Sequence, residues 1–269
     1  MRINLYRDDD LLSRSCAEWT EIAQPLVSVP LKERTNSLVN ETIENHWHLF
    51  KVETPINVDV FEKLLAEHPN RSYVNSVVDG LRNGFWPWAD TRVGDYPDTL
   101  DESLGDPKNE NELKFICEQH DKEIASRQFS DSFRTDLLPG MYSMPIHVVL
   151  KPQSSDFRLV TNQSARDYSL NSMICCEDIA GYLLDNMTHL GEMLLRKKST
   201  HPNENFVLFK SNIAEAYWLL PMHPLWQIKQ INTIQGQRHV DCRNCFGGKA
   251  SGSLFISFNA LVTWIAKNV

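Results

Sequence analysis

Apolar residues recur at helical spacing through the first half of the chain. Phe61, Leu64 and Leu65 follow Asp59, and Tyr73, Val74, Val77, Val78 and Leu81 line one face of a second segment that stops at Gly84. Two amphipathic helices are expected there. Residues 86–107 are rich in Pro, Gly and Asp and read as a loop, with Trp86 and Trp88 anchoring it on the core. Beyond it, Leu113, Ile116, Cys117, His120 and Ile124 form one stripe of a longer helix.

The pattern changes after Pro139 and Gly140. Residues 145–151 (PIHVVLK) and 157–161 (FRLVT) are rich in β-formers and flank a polar turn at 152–156, which predicts a hairpin. Ile179, Leu183, Leu190 and Leu194 share a face of a predicted helix that ends in Arg196, Lys197 and Lys198, cations placed where the helix dipole favours them. FVLFKS (206–211) reads as a buried strand, and LWQIKQIN (225–232) faces QRHVDC (237–242) across a turn containing Gln235 and Gly236. A final helix runs from about Ala250 onward. Helices and strands in this order give an α+β class rather than strict βαβ alternation.

Composition narrows the class. In 269 residues, 42% hydrophobic content suffices for a sizeable core. Residues 1–12 mix Arg2 and Arg7 with Asp8, Asp9 and Asp10, which is no secretory leader, and the apolar stretch 254–266 falls short of the ~20 residues a membrane span needs. It reads as a buried helix. Six cysteines without a leader point to free thiols in a reducing compartment, so an intracellular location, cytoplasm or nucleus, is expected. The net charge of −8 is uneven. Residues 1–140 carry 15 Lys and Arg against 26 Asp and Glu, whereas 141–269 carry 12 against 9. A nucleic-acid surface, if present, belongs in the second half.

Three stretches give the second half its chemistry: HVVLKPQSSDFRLVTNQSARDYSLN (147–171), FKSNIAEAYWLLPMHP (209–224) and CFGGKASGSLF (245–255). In order and spacing they resemble reverse transcriptases, particularly those of the DIRS-like retroelements of fungi, and HPNRSYVNSVVDGLRNGFWPWA (68–89) is similar to the segment that precedes the polymerase in such elements. The resemblance covers roughly residues 140–269 and implies fingers and a partial palm there, behind the mainly helical N-terminal extension that periodicity gives over 1–139. It also implies an RNA-directed DNA polymerase ancestry, with Mg²⁺, a template-primer and a nucleoside triphosphate as partners.

By that resemblance Lys151 and Arg158 are the fingers cations that meet the incoming triphosphate, Arg158 being the better match because it falls in FRLV. Tyr217 aligns with the aromatic residue lying under the sugar, while Phe246, Gly247 and Lys249 fall where the family contacts template and nucleotide. Core packing for Tyr217 and Trp218, and solvated surface charge for the cations, are the plainer alternatives.

The metal centre departs from the family. Where relatives end a strand in Lys-Ser-Asp this chain has Asn212, whose amide brings no charge to a pair of dications, and Glu215 matches a position that is usually acidic without being the main ligand. The family's Asp-Asp pair would fall past Val269. No catalytic residue is therefore expected intact, and no metal or other cofactor is expected to bind the chain as written. Three functions stay open: a degenerate mobile-element polymerase domain without activity, a non-catalytic nucleic-acid-binding or assembly module, or a polymerase completed by a further segment. His239, Cys242 and Cys245 offer half of a zinc set with no second Cys pair, and His46 and His48 alternate as on a strand without a third ligand.

Overall fold

Asparagine side chains set most of the longer helix starts. The computed structural model describes residues 15–92, 94–105, 107, 109–179, 181–182, 185–208 and 212–269. After α1 (Cys16–Trp19) and α2 (Leu31–Arg34), Asn36 caps α3 (Ser37–Asn45), Asn57 caps α4 (Val58–Leu64) and Asn70 caps α5 (Arg71–Asn83). Each accepts the backbone N–H of the third residue on, satisfying a donor that the helix cannot. The α4 cap is thus Asn57 rather than Asp59, which lies in the first turn.

The stripe Tyr73, Val74, Val77, Val78 and Leu81 is buried along α5, as its periodicity requires. After β1 (Leu100–Asp101), α6 (Glu110–Ala125) forms where its stripe predicts, with Ile116 buried.

Mixed helix and sheet continue in the second half. β2 (Tyr142–Ser143) is followed by β3 (Ile146–Leu150) and β4 (Phe157–Thr161), which pair with each other in the predicted hairpin. α7 (Met187–Thr200), α8 (Pro224–Gln227), β5 (Ile231–Ile234), β6 (Gln237–Val240) and α9 (Ser251–Asn268) complete the order. The larger sheet runs β1-β2-β5-β6, parallel at the first two pairings and antiparallel at the last. The β5–β6 turn is Gln235-Gly236, both at positive φ, as a two-residue hairpin loop demands.

The core draws on residues from both sides of position 140. Phe61 of α4 meets Phe258 of α9 at 5.4 Å, the Tyr73 hydroxyl donates to the Ser257 carbonyl at 3.1 Å, and Trp86 meets Trp226 edge-on at 6.0 Å. Among the described residues, no helix is long and apolar enough to cross a membrane.

Four expectations need correction. Residues 225–227 are helical rather than extended, because Pro224 occupies the first helical position and the His223 ring caps it by accepting the Leu225 N–H. Phe206, Val207 and Leu208 lie exposed outside any strand, since among the described residues no strand pairs with them, while 209–211 fall outside the described residues. The helix expected from Ile179 begins only at Met187, where the Asn186 side chain accepts from the Thr188 and His189 N–H groups; Ile179 precedes it, packed on the core, and Leu183 lies outside the described residues. α7 fully buries none of its residues. His46 precedes a 3₁₀ turn (Trp47–Leu49) and His48 lies within it, so neither is on a strand.

Candidate functional site

Register fixes which way the hairpin cations point. Arg158 pairs with Val149, and the Lys151 N–H donates to the Asp156 carbonyl at 2.8 Å, carrying the ladder one pair past the strand ends. Cross-strand partners share a face and side chains alternate, so Arg158 and Lys151 stand on the same face. Both are exposed. The other face carries Ile146, Val148 and Leu159, packed with Ile116 and Ile124 of α6, while Phe157 meets Phe115 at 5.5 Å. Helix α6 therefore backs the hairpin and leaves the cationic face open.

The third motif comes up beside that face. The Arg158 guanidinium carbon lies 5.6 Å from the Phe246 ring centroid, a cation–π distance. Phe246 meets Tyr217 at 4.8 Å and Trp218 at 5.9 Å, and Tyr217 meets Phe255 of α9 at 5.7 Å. Residues from all three motifs thus form one chain of contacts. Tyr217 also lines a cleft of about 410 Å³ together with Gly252, Phe255 and Asn259.

Gly247 has φ +110°, open to glycine and strained for other residues. Asn171 clamps this turn: its amide nitrogen donates to the Gly247 carbonyl and the Ser164 hydroxyl, both at 2.8 Å, and its oxygen accepts the Lys249 N–H at 2.6 Å. The Lys249 ammonium donates to the Ile174 carbonyl at 2.6 Å. Asn171 was passed over in the sequence because a single buried amide leaves no periodic signal; its only clue is a polar residue between Leu170 and Met173, both buried.

Asn212 is exposed. Glu215 sits in the left-handed region at φ 51° and pairs with Lys122 of α6 at 2.5 Å, which raises the Lys122 pKa. Among the described residues, no group of three or more His, Cys, Asp or Glu side chains is placed to hold a metal ion. Cys242 and Cys245 are buried, and burial pushes the Cys242 thiol up to about 12 and Cys245 upward as well. Buried thiols so raised are protonated in the metal-free chain and pack as small apolar groups. His239 is engaged elsewhere, its ring nitrogens 3.1 Å from His120 Nε2 and 3.0 Å from the Ser130 carbonyl.

No protein-family model and no curated protein matches the chain. Among solved structures, it is similar to the native protease-reverse transcriptase of prototype foamy virus, at 14% identity and a TM-score of 0.45, over 92% of this chain and 28% of that one. It is also similar to the foamy viral protease-reverse transcriptase in complex with dsDNA, at 18% identity and a TM-score of 0.43, over 92% of this chain and 44% of that one. The chain thus spans less than half the length of either.

Proposed function

We propose that residues 140–269 are a reverse-transcriptase-like fingers and partial palm unit. Its Arg158 and Lys151 face takes phosphate from a primer-template or a nucleoside triphosphate, and no metal-dependent polymerase centre stands at Asn212. The observation that carries this is the contact chain from Arg158 through Phe246 to Tyr217, in which side chains from three separate motifs meet beside an open cationic face. Convergence of that kind is not required by core packing, because Arg158 is exposed and its long side chain could have lain in solvent on the same face. A guanidinium held over a ring is pre-oriented for phosphate.

Chemistry at Asn212 is a different matter. An exposed amide supplies no charge for two dications, and Glu215 is already paired with Lys122. The unit is a binding module derived from a polymerase, and its mobile-element origin rests on the motif resemblance.

Fluorescence anisotropy of a labelled primer-template duplex tests this. Weak binding that falls with salt is expected, and Lys151→Ala/Arg158→Ala should reduce the salt slope by about 2. A duplex that fails to bind at low salt, or binds the double variant equally well, would leave a relic fold without the function.

A further inference from the structure

Two arginines are buried close together along the chain, and they are bonded in opposite ways. Arg238 is fully engaged: Nε donates to the Thr135 carbonyl at 2.9 Å, Nη1 to Asp101 Oδ1 at 3.2 Å, and Nη2 to Asp101 Oδ2 at 2.5 Å. Arg243 is 4% exposed, yet its Nε and Nη1 have no partner. Its backbone is well held, with the N–H donating to Asp241 and the carbonyl accepting from Gln230, while Glu53 and Asp241 act on its charge without bonding Nε or Nη1. Burial works against its charge and lowers its pKa. A guanidinium taken from water with two nitrogens left unbonded is costly, and a bound ion is one way to offset that cost.

A cleft of about 360 Å³ is lined by Arg243 together with Gln128, Trp218 and Leu219. Gln128 is 8% exposed and its side-chain oxygen also has no partner. A water occupies about 30 Å³ of liquid volume, so this space holds far more than one bridging molecule. Three other polar side chains of the lining are paired, and the exposed Ser126 lines the cleft as well. Glu53 pairs with Arg127 at 3.6 Å, Glu215 with Lys122 at 2.5 Å, and the Thr54 hydroxyl donates to the Leu219 carbonyl at 2.7 Å.

The vacant groups define their ligand. Arg243 needs acceptor oxygens, Gln128 Oε1 needs a donor, and the carboxylates of Glu53 and Glu215 at the rim disfavour a dianion. We infer that this cleft binds a small protonated oxyanion of the phosphate class, with its oxygens on Arg243 and an O–H donated to the Gln128 carbonyl. Sulfate satisfies the first condition and not the second, because it carries no proton near neutral pH. Neither Arg243 nor Gln128 belongs to the Arg158–Phe246–Tyr217 contact chain, so this site stands or falls apart from nucleic-acid binding.

The test uses the full chain in thermal denaturation and titration calorimetry at about pH 6, where phosphate monoesters are half protonated, at constant ionic strength. Inorganic phosphate should raise Tm saturably, and sulfate should do no more than chloride. A parallel arm with phenyl phosphate distinguishes an ester, if it binds as well, from the free ion. Arg243→Met should weaken phosphate at least about 30-fold, yet be as stable as the parent without phosphate, because it removes an unpaired buried charge. Gln128→Leu should abolish the preference for phosphate over sulfate. Absence of a saturable response, equal responses to phosphate and sulfate, an undiminished response in Arg243→Met, or a less stable Arg243→Met in phosphate-free buffer would each overturn the site.

Discussion

The backbone of Gly247 lies so close to Thr161 that a Cβ on the glycine would stand 2.2 Å from the Thr161 carbonyl oxygen. This contact brings the turn of the third motif against the end of β4 and so sets the distance between Phe246 and Arg158. Gly247→Ala must move the strand or distort a backbone at φ +110°. A loss of about 2 kcal/mol or more is expected, read as a lower urea midpoint at unchanged slope. An unchanged midpoint would mean that the turn and strand are not in contact in solution.

Buried carboxyls give a pH signature. Glu123 is 1% exposed on α6, and burial pushes its pKa up to about 7. An unfolded glutamate titrates near ~4.3, so between there and about 7 the folded chain holds a proton that the unfolded chain has released. The stability this contributes is complete below the unfolded pKa and is lost as pH rises through the folded one. Asp241, raised to about 7 by burial, has the same sign, whereas His223, pushed down to about 4 by burial, has the opposite one. Comparison with a variant isolates the carboxyl. Glu123→Gln should therefore lose less stability than the parent between pH 5 and 8, measured by urea unfolding across pH. Parallel curves would show that Glu123 is ionised in the fold.

The sequence made legible what periodicity and turn chemistry encode. The α5 stripe, the α6 stripe, the hairpin about 152–156 and the Gln235-Gly236 turn all fall where the pattern places them. Sequence alone gave way where single side chains decide. His223 and Pro224 start a helical turn inside an apparent strand, and Asn186 delays α7 past Ile179. The stretch 206–208 looks like a buried strand by composition, yet burial depends on a partner that no local pattern reveals. For the site, motif order brought Arg158, Tyr217 and Phe246 into view, and alternation in the hairpin put Lys151 beside Arg158. Arg243 and Gln128 stayed hidden because an unpaired buried atom is a property of tertiary packing.

Arg238 and Asp101 tie β6 to β1 through a two-pronged ion pair whose arginine is nearly buried and whose aspartate is 43% exposed. Arg238→Met removes these bonds together with those to Thr135 and Ser103. Destabilisation of about 2–4 kcal/mol is expected, the opposite sign from Arg243→Met. A double-mutant cycle with Asp101→Asn should give a coupling of about 1 kcal/mol, reduced by the exposure of the aspartate. Equal effects of the two Met substitutions would contradict the contrast between the arginines.

The last expectation concerns metal at the second motif. Mg²⁺ demands near-octahedral oxygen ligands and gives up its water reluctantly, so a lone exposed carboxylate holds it only weakly. Asn212 is exposed, Glu215 is paired with Lys122, and among the described residues no group of three or more metal-ligating side chains is placed to hold an ion. Asn212→Asp should therefore give no saturable heat with Mg²⁺ up to about 10 mM, and neither the parent chain nor the variant should extend a primer. Ligands that act as one unit are not additive, so restoring one of them should recover none of the activity. Saturable Mg²⁺ binding by Asn212→Asp, abolished by Glu215→Gln, would show instead that Glu215 leaves Lys122 to complete a site, and that the second motif keeps the capacity to hold metal.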